Sequence, residues 1–192
     1  MKEPAITTRL AQPLREAADT YDVLIIGSGY GGGVSASRLA RAGLKVAVLE
    51  RGREVVTGEF PARFPEMRQE MRVSGKSAAV GSEQGLFDVR LGDDMHVLVG
   101  CGLGGGSLVN AGVALRPDPR VFQDPVWPGQ IAQDGLLDQG YDLARRWLAP
   151  GRDPSAFEHT KVQALGKAAA AIDSQPVAPE IVVSFDDTVS SG

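Results

Sequence analysis

The chain has 192 residues, a formal net charge of −4 and a single cysteine. The acidic balance gives no excess positive field for collecting phosphate backbones, which disfavours nucleic acid as a partner, and one cysteine excludes an internal disulfide or a cysteine-based zinc site. Residues 1–20 lack the apolar core of a signal peptide, and no segment approaches the ~18 apolar residues that span a bilayer. We therefore expect a cytoplasmic protein with a short leader over 1–20 and no membrane span.

The pattern from residue 21 to residue 50 predicts one βαβ unit. The segment YDVLIIG (21–27) is apolar and ends in glycine, which is typical of a buried strand. GGVSASRLARAG (32–43) has apolar residues spaced for one helical face and a glycine at its end. LKVAVLE (44–50) predicts a second buried strand, parallel to the first.

Beyond residue 50 the periodicity is weaker. Residues 51–94 predict an extended excursion with one helix across PEMRQEMRV, and the glycine-rich run that follows predicts a helix or helical turn over 105–111. Three later segments predict two helices and a strand, in this order: LLDQGYDLARRWL, FEHTKVQALGKAAAAI (157–172) and EIVVSF (180–185).

Gly27, Gly29 and Gly32 form the motif G-x-G-x-x-G. The motif is weak by itself, but it lies between a strand and a helix in a unit of about 30 residues. Gly27 permits a sharp turn, Gly29 lets a pyrophosphate approach the backbone, and Gly32 lets the helix pack close to the strand. The N–H groups at the helix start would then face the pyrophosphate. These features predict an α/β, Rossmann-type dinucleotide-binding domain.

Glu50 closes the second strand about 20 residues after the motif, where a carboxylate can accept hydrogen bonds from the hydroxyls of an adenosine ribose. The same carboxylate would repel a ribose 2′-phosphate, which disfavours NADP. Arg51 and Arg53 follow Glu50, and their positive charges would attract a 2′-phosphate, so the sequence leaves open whether NADP is excluded. The βαβ unit alone does not decide between NAD and FAD.

The segment GCGLGGGSLVN (100–110) has five glycines in its first seven positions. Its apolar flanks argue against a flexible linker. Small residues permit close packing against a planar ring, and a glycine turn that enters a helix supplies directed N–H donors. Ser107 is equally well interpreted as a helix N-cap or as a residue that contacts the cofactor. Asn110 is interpreted as a cofactor contact, and the alternative is an ordinary hydrogen bond within a turn.

Together the two glycine motifs resemble the glucose-methanol-choline (GMC) family of flavin oxidoreductases, most closely its cholesterol oxidase-like branch. GSGYGGGVSASRLARAGLKVAVLERG is similar to the FAD-binding start of that branch, and GCGLGGGSLVNAGVALRPDPRVFQ (100–123) is similar to the first signature of the family. The resemblance implies a FAD-binding Rossmann-type domain over 21–130 and the incomplete beginning of a substrate domain over 131–192.

Carried over position by position, the resemblance implies two groups of FAD-binding residues. The first lies at the pyrophosphate and ribose: Gly27, Gly29, Tyr30, Gly31, Gly32, Glu50 and Arg51. The second lies along the flavin: Gly105, Gly106, Ser107, Asn110, Ala111 and Val113.

Members with a histidine-linked flavin carry that histidine where this chain has Val109, so the expected FAD is non-covalent. Cys101 is expected to be a buried inert thiol, with a thioether to the flavin as the alternative.

The resemblance further implies the N-terminal part of an enzyme that oxidises the CH–OH group of an alcohol or sterol by hydride transfer to flavin N5, with oxygen or another carrier as electron acceptor. No metal-ligand pair or catalytic triad is evident in the sequence. The catalytic groups of the family come from a C-terminal half, so we expect this chain to be inactive alone. Two alternatives stay open: another flavin or NAD oxidoreductase that shares only the βαβ unit, and a truncated, non-catalytic nucleotide-binding module.

Overall fold

The structure is a computed structural model that describes residues 9–133 and 135–185. These residues fall into two units, one that runs to Asn110 and one that begins at Ala111. The predicted domain boundary at residue 130 stays a prediction.

The first unit contains the βαβ arrangement that the sequence predicts. β1 (Val23–Ile26) is followed by α1 (Tyr30–Arg41) and β2 (Val46–Leu49), and the two strands pair in parallel along their whole length. Branched apolar side chains favour both strands. Gly43 follows the helix with a φ of +89°, a conformation that side chains other than glycine rarely adopt. The order of the elements and the parallel pairing are confirmed.

Helix α1 packs against β1 at a glycine. A Cβ atom built on Gly32 would lie 1.9 Å from the carbonyl oxygen of Gly27 and 3.3 Å from Cγ2 of Ile25. No side chain tolerates the first of these distances, so only glycine lets the helix cross the end of the strand this closely.

The outer face of this two-stranded sheet is open among the described residues. Side chains along β1 alternate between half-buried and exposed, and Leu24 and Ile26 are 57% and 86% exposed. Leu49 on β2, which pairs beside Ile26 on the same face, is exposed as well. Parallel strands are normally covered on both faces, whereas within the described first unit α1 covers one face and no element covers the second. The predicted burial of the two strands is therefore wrong for the outer face.

A second sheet lies within residues 51–100, where the sequence predicts mostly irregular chain. Its elements are α2 (Phe64–Gln69), β3 (Met71–Ser74), β4 (Ala79–Gly81), β5 (Phe87–Leu91) and β6 (His96–Gly100). The strand order is β4-β3-β5-β6, with β3 and β5 parallel and the outer pairs antiparallel. The strands have three to five residues, which is too short for a reliable period in a sequence that also carries charges.

The predicted helix across PEMRQEMRV is correct only in its first half. Pro65 lies in the first turn of α2, and the backbone N–H of Arg63 donates to a carboxylate oxygen of Glu66 at 3.1 Å, as in a capping box. The helix ends at Gln69, because Met71 already pairs with Phe87 in the parallel ladder between β3 and β5.

The most buried residues of the described chain lie around the start of β5 and the end of β6. Leu86 and Cys101 are 1% and 3% exposed, Val55 is 8% exposed, and Asp88 is a buried carboxylate. The backbone N–H of Cys101 donates to the carbonyl oxygen of Leu86 at 2.9 Å. The second glycine motif therefore starts from the buried core of the first unit.

The second unit contains two longer helices. α3 (Leu136–Leu148) and α4 (Thr160–Ala170) agree with the predicted helices. The predicted strand over 180–185 is wrong, because Ile181 forms only isolated bridges, to Val113 and Gly151, and a strand requires a ladder of neighbouring pairs. Within the described residues no helix is both long and apolar enough to cross a membrane.

Replacing Gly32 with alanine is expected to lower the free energy of unfolding by about 1–3 kcal/mol, because the new Cβ collides with the carbonyl oxygen of Gly27. Urea denaturation followed by circular dichroism measures the loss. Gly33→Ala is the matched control, since its Cβ would lie 3.6 Å from the Ser28 carbonyl oxygen, an ordinary contact. This control should be neutral or stabilising by up to about 1 kcal/mol. Equal effects of the two substitutions would contradict the packing argument.

Candidate functional site

The glycine turn after β1 leaves the start of α1 open. Gly27 has a φ of +89°, in the left-handed region, and a Cβ there would meet nothing within 4 Å. Gly29 is the N-cap, and no side-chain hydrogen bond caps the helix. The N–H groups of Tyr30, Gly31 and Gly32 belong to the first turn, which has no intrahelical acceptors for them. The geometry therefore suits an anionic group at this helix start.

The second glycine motif folds into a 3₁₀ helix over Gly105–Leu108, shorter than the predicted helical segment over 105–111. Gly104 and Gly105 have φ values of +113° and +60°, which side chains rarely adopt. The hydroxyl of Ser107 donates to the carbonyl oxygen of Gly104 at 3.0 Å and closes the turn. Gly104, and not Ser107, is the N-cap of this helix.

The two glycine motifs approach each other through their backbones. A Cβ atom on Gly105 would lie 2.8 Å from the Cα atom of Gly29. A Cβ atom on Gly52 would lie 2.4 Å from the backbone nitrogen of Gly102, so the residues after Glu50 are equally close to the second motif. Glycine is required at these contacts because no other residue leaves the space. Two motifs that are far apart in sequence thus form one surface.

Ser28 links both motifs to Glu50. Its hydroxyl donates to Oε2 of Glu50 at 2.6 Å and accepts a hydrogen bond from the Gly104 N–H at 2.9 Å. The backbone N–H of Ser28 donates to the same carboxylate oxygen at 2.9 Å, and the Gly52 N–H donates to Oε1 at 2.9 Å. The sequence prediction does not include Ser28. The available signal was a hydroxyl inside the G-x-G-x-x-G turn, where the motif gives weight only to the glycines.

The half-buried carboxylate of Glu50 is held in its ionised form. Burial by itself would raise its pKa, but hydrogen bonds from the Ser28 hydroxyl and from the backbone N–H groups of Gly52, Ser28 and Arg51 bring the pKa below its ordinary value. Because the folded pKa is lowered, Glu50 contributes stability at neutral pH that is lost as the pH falls through the folded pKa. An ionised carboxylate at the end of β2 can accept hydrogen bonds from hydroxyls and repels a phosphate.

A side-chain hydrogen bond joins the start of α1 to the end of the second motif. Nδ2 of Asn110 donates to the hydroxyl oxygen of Tyr30 at 2.5 Å. The backbone N–H of Asn110 also donates to the carbonyl oxygen of Gly106 at 3.1 Å, which is the turn hydrogen bond of the alternative interpretation. A Cβ atom on Gly106 would lie 3.9 Å from Cε2 of the Tyr30 ring. The Tyr30 side chain is exposed, so this contact lies at the open surface of the site.

Two predicted site residues, Ala111 and Val113, belong to the second unit. There Val113 forms an isolated bridge with Ile181. Their predicted place beside the flavin stays a prediction.

Cys101 is buried at the start of the second motif. Burial raises the pKa of its thiol, against the opposing effect of the Arg51 guanidinium. Its Sγ atom lies 3.8 Å from the carbonyl oxygen of Glu83. A protonated, shielded thiol is a poor nucleophile, which fits the inert role predicted for it.

Ser28→Ala is expected to raise the pKa of Glu50, because the Ser28 hydroxyl is the strongest of the hydrogen bonds that lower it. The variant should lose about 1 kcal/mol of stability near pH 7 relative to the wild type, and the difference should shrink as the pH falls and Glu50 becomes protonated in both proteins. Thermal unfolding measured from about pH 3 to pH 7 tests this. Ser35→Ala, at an exposed serine of α1, is the control and should leave the pH profile unchanged. A Ser28→Ala profile parallel to that of the wild type would show that the hydroxyl does not act through Glu50.

Comparison with known proteins connects this geometry to flavin enzymes. A family model described as an FAD binding domain matches residues 22–58. A cholesterol oxidase of Mycobacterium tuberculosis is 34% identical over 142 residues, which cover 74% of this chain and 24% of that protein. A long-chain-alcohol oxidase of Arabidopsis thaliana is 34% identical over 54% of this chain and 12% of its own length. An uncharacterized GMC-type oxidoreductase of Mycobacterium tuberculosis is 39% identical over 52% of this chain and 15% of its own length.

The chain spans about a quarter of the length of the cholesterol oxidases that it matches. Three observations of the first unit fit the adenosine and pyrophosphate part of FAD. They are an uncapped helix start, a backbone approach that leaves no room for a Cβ on Gly105, and an ionised carboxylate at the end of β2.

Proposed function

Because the chain belongs to the glucose-methanol-choline family of flavin oxidoreductases, in its cholesterol oxidase-like branch, we propose that it is the N-terminal part of an enzyme that oxidises the CH–OH group of an alcohol or sterol. FAD is its cofactor. The observation that carries the proposal is the joining of the two glycine motifs, through Ser28 and the backbone contact of Gly29 with Gly105. The names of the relatives, cholesterol oxidase and long-chain-alcohol oxidase, support a hydroxyl-bearing substrate.

We assign the pyrophosphate of FAD to the start of α1. The backbone N–H groups of Tyr30, Gly31 and Gly32 would donate to its oxygens, and Gly29 leaves room for its approach. The helix dipole adds about 0.3–1 kcal/mol in favour of a negative charge at this position. Gly27 supports the site indirectly, because its positive φ permits the sharp turn that leads from β1 to the start of α1.

We assign the adenosine ribose to Glu50. Its two oxygens already accept hydrogen bonds from Ser28 and Gly52, and an ionised carboxylate has further acceptor positions for ribose hydroxyls. The N–H groups of Ser28 and Gly52 also fix the orientation of the carboxylate before the nucleotide arrives, which reduces the ordering that binding requires.

We assign the flavin end of the cofactor to the second motif. Gly105 and Gly106 present backbone without side chains, and Ser107 and Asn110 are each fixed by a hydrogen bond. The resemblance to the family also supports Ala111 and Val113 as residues beside the isoalloxazine ring. FAD supplies the hydride acceptor when it is bound, and these residues hold and orient it. Val109 offers no group for a covalent link, which supports non-covalent binding.

We propose that the catalytic groups lie in the part of the protein that this chain does not include. His96 begins β6, at the opposite end of that strand from Gly100, and Nε2 of His159 lies 3.0 Å from Oδ2 of Asp153 in the second unit. The chain alone would then bind the cofactor without turning over a substrate, and oxygen or another carrier would accept the electrons in the complete enzyme.

Titration of the chain with FAD is expected to give saturable binding and a higher unfolding temperature. Glu50→Gln should weaken FAD binding about tenfold, or about 1.4 kcal/mol, because the amide loses charge-assisted hydrogen bonds to the ribose. Flavin fluorescence and thermal unfolding measure the two effects. Glu83→Gln is the control, since the Glu83 side chain is 83% exposed, and it should bind FAD like the wild type. A wild-type chain that neither binds FAD nor gains stability from it would favour the inert nucleotide-binding module instead.

In the complete enzyme that carries this chain, the absorbance of oxidised flavin should bleach without oxygen when a sterol or a long-chain alcohol is added, and it should return when an electron acceptor is admitted. Stopped-flow absorbance spectroscopy measures both phases. The chain alone, loaded with FAD, should show no bleaching under the same conditions. A complete enzyme whose flavin is reduced by no alcohol or sterol would contradict the proposed substrate class while leaving FAD binding intact.

A further inference from the structure

Two arginines follow Glu50 along the chain, and both are held by carboxylates. Nη2 of Arg51 lies 2.6 Å from Oδ2 of Asp88. Nη2 of Arg53 lies 2.8 Å from Oε1 of Glu70. The sequence leaves open whether these cations bind a ribose 2′-phosphate beside Glu50. In the structure both guanidinium groups are already engaged.

Asp88 depends on Arg51 for the compensation of its charge. Asp88 is 2% exposed on β5. Its Oδ2 atom is paired with Arg51 and, at 3.4 Å, with Nη2 of Arg90, whereas Oδ1 has no hydrogen-bond partner among the described residues. Burial raises the pKa of Asp88, but the two arginines, Arg51 first, bring it below its ordinary value, so the carboxyl group stays ionised. Removing the cation from a buried carboxylate is costly, so Arg51 is retained by Asp88.

Glu70 holds Arg53 in a comparable arrangement. Its second carboxylate oxygen accepts the backbone N–H of Leu86 at 3.1 Å, which fixes the orientation of the carboxylate. Oε2 of Glu59 lies 3.5 Å from Nη1 of Arg53 and adds a second negative charge. The carbonyl oxygen of Arg53 accepts the Leu103 N–H at 3.1 Å. Both the side chain and the backbone of Arg53 are therefore constrained.

Recognition of a ribose 2′-phosphate requires a guanidinium group that is free to form charge-assisted hydrogen bonds with it. In this chain such a group would first have to leave a carboxylate, and in the case of Arg51 it would leave a buried one. The ionised Glu50 also repels the phosphate. The second sheet, which carries Asp88, therefore helps to determine whether a 2′-phosphorylated nucleotide can bind at the end of β2.

We propose that Asp88 and Glu70 are specificity-determining residues that withhold Arg51 and Arg53 from the ribose 2′ position. The chain then accepts adenine dinucleotides with a free 2′-hydroxyl, as in FAD, and rejects 2′-phosphorylated ones. Asp88 and Glu70 act through their arginines and do not touch the nucleotide. This inference rests on the proposed adenosine site at Glu50.

Calorimetric titration of the chain with ADP-ribose and with its 2′-phosphate tests the proposal, since the two probes differ only at the 2′ position. We expect the wild type to prefer ADP-ribose by about a hundredfold (about 2.7 kcal/mol). Asp88→Asn should reduce this preference at least tenfold through tighter binding of the 2′-phosphate probe. The double variant Asp88→Asn/Arg51→Gln should lose that gain. A preference that is unchanged in Asp88→Asn, or a gain that persists without Arg51, would overturn the proposal.

Glu70→Gln is the second variant and is decisive if Asp88→Asn does not fold by circular dichroism. It should reduce the preference in the same direction, and Glu70→Gln/Arg53→Gln should restore it. An unchanged preference in the folded Glu70→Gln chain overturns the inference. Failure of the adenosine site and failure of this inference give different results. A wild type that binds neither probe overturns both the adenosine site and the inference. A wild type that binds ADP-ribose, with variants whose preference is unchanged, overturns the inference alone.

Discussion

The backbone contact between Gly29 and Gly105 is the constraint on which the candidate site depends. It brings the start of α1 against the second glycine motif at a distance that excludes a Cβ atom on Gly105. That approach in turn places the Gly104 N–H on the Ser28 hydroxyl, although the two residues are 76 positions apart. The positive φ values of Gly104 and Gly105 are the local conformation that the contact requires. The two motifs therefore form a surface of backbone atoms, and the fold, rather than flexible side chains, sets the direction of its N–H groups.

The two ends of this backbone surface carry charges of opposite sign. The uncapped start of α1 is positive because of its free N–H groups. At the end of β2, Glu50 is kept ionised by hydrogen-bond donors and not by a guanidinium group, so its negative charge is not cancelled at the site. The guanidinium groups of Arg51 and Arg53 are instead paired with the carboxylates of Asp88 and Glu70. A ligand with a pyrophosphate and a hydroxyl-bearing ribose matches this order of charges.

The parts of the fold that depend on local sequence could be predicted. The βαβ unit follows from short-range patterns of glycine and apolar residues, and α3 and α4 follow from helical spacing. The second sheet could not be predicted in the same way, because strands such as β4, with three residues, exist only through partners elsewhere in the chain. The segment over 180–185 shows the opposite error: its branched residues favour a strand, but the described structure provides single bridges and no ladder.

The residues of the candidate site likewise differ in whether the local sequence could predict them. Glycines in a spaced motif carry their own signal, because each position has a steric reason for lacking a side chain. Ser28 and Asp88 carry none, since a serine in a turn and an acid in a charged strand are ordinary until their distant partners are known. Glu50 could be proposed from the sequence because it ends a recognisable strand at a characteristic distance from the motif, and its role at the ribose stays a prediction.

The open outer face of β1 and β2 also bears on how the polypeptide behaves during synthesis and storage. Leu24 and Ile26 project from a sheet of two strands, neither of which pairs along its other edge among the described residues. Branched apolar strands with free edges are templates for pairing with other chains, which is the usual route to aggregation. Until a further layer covers that face, the first unit offers two strand edges for such pairing.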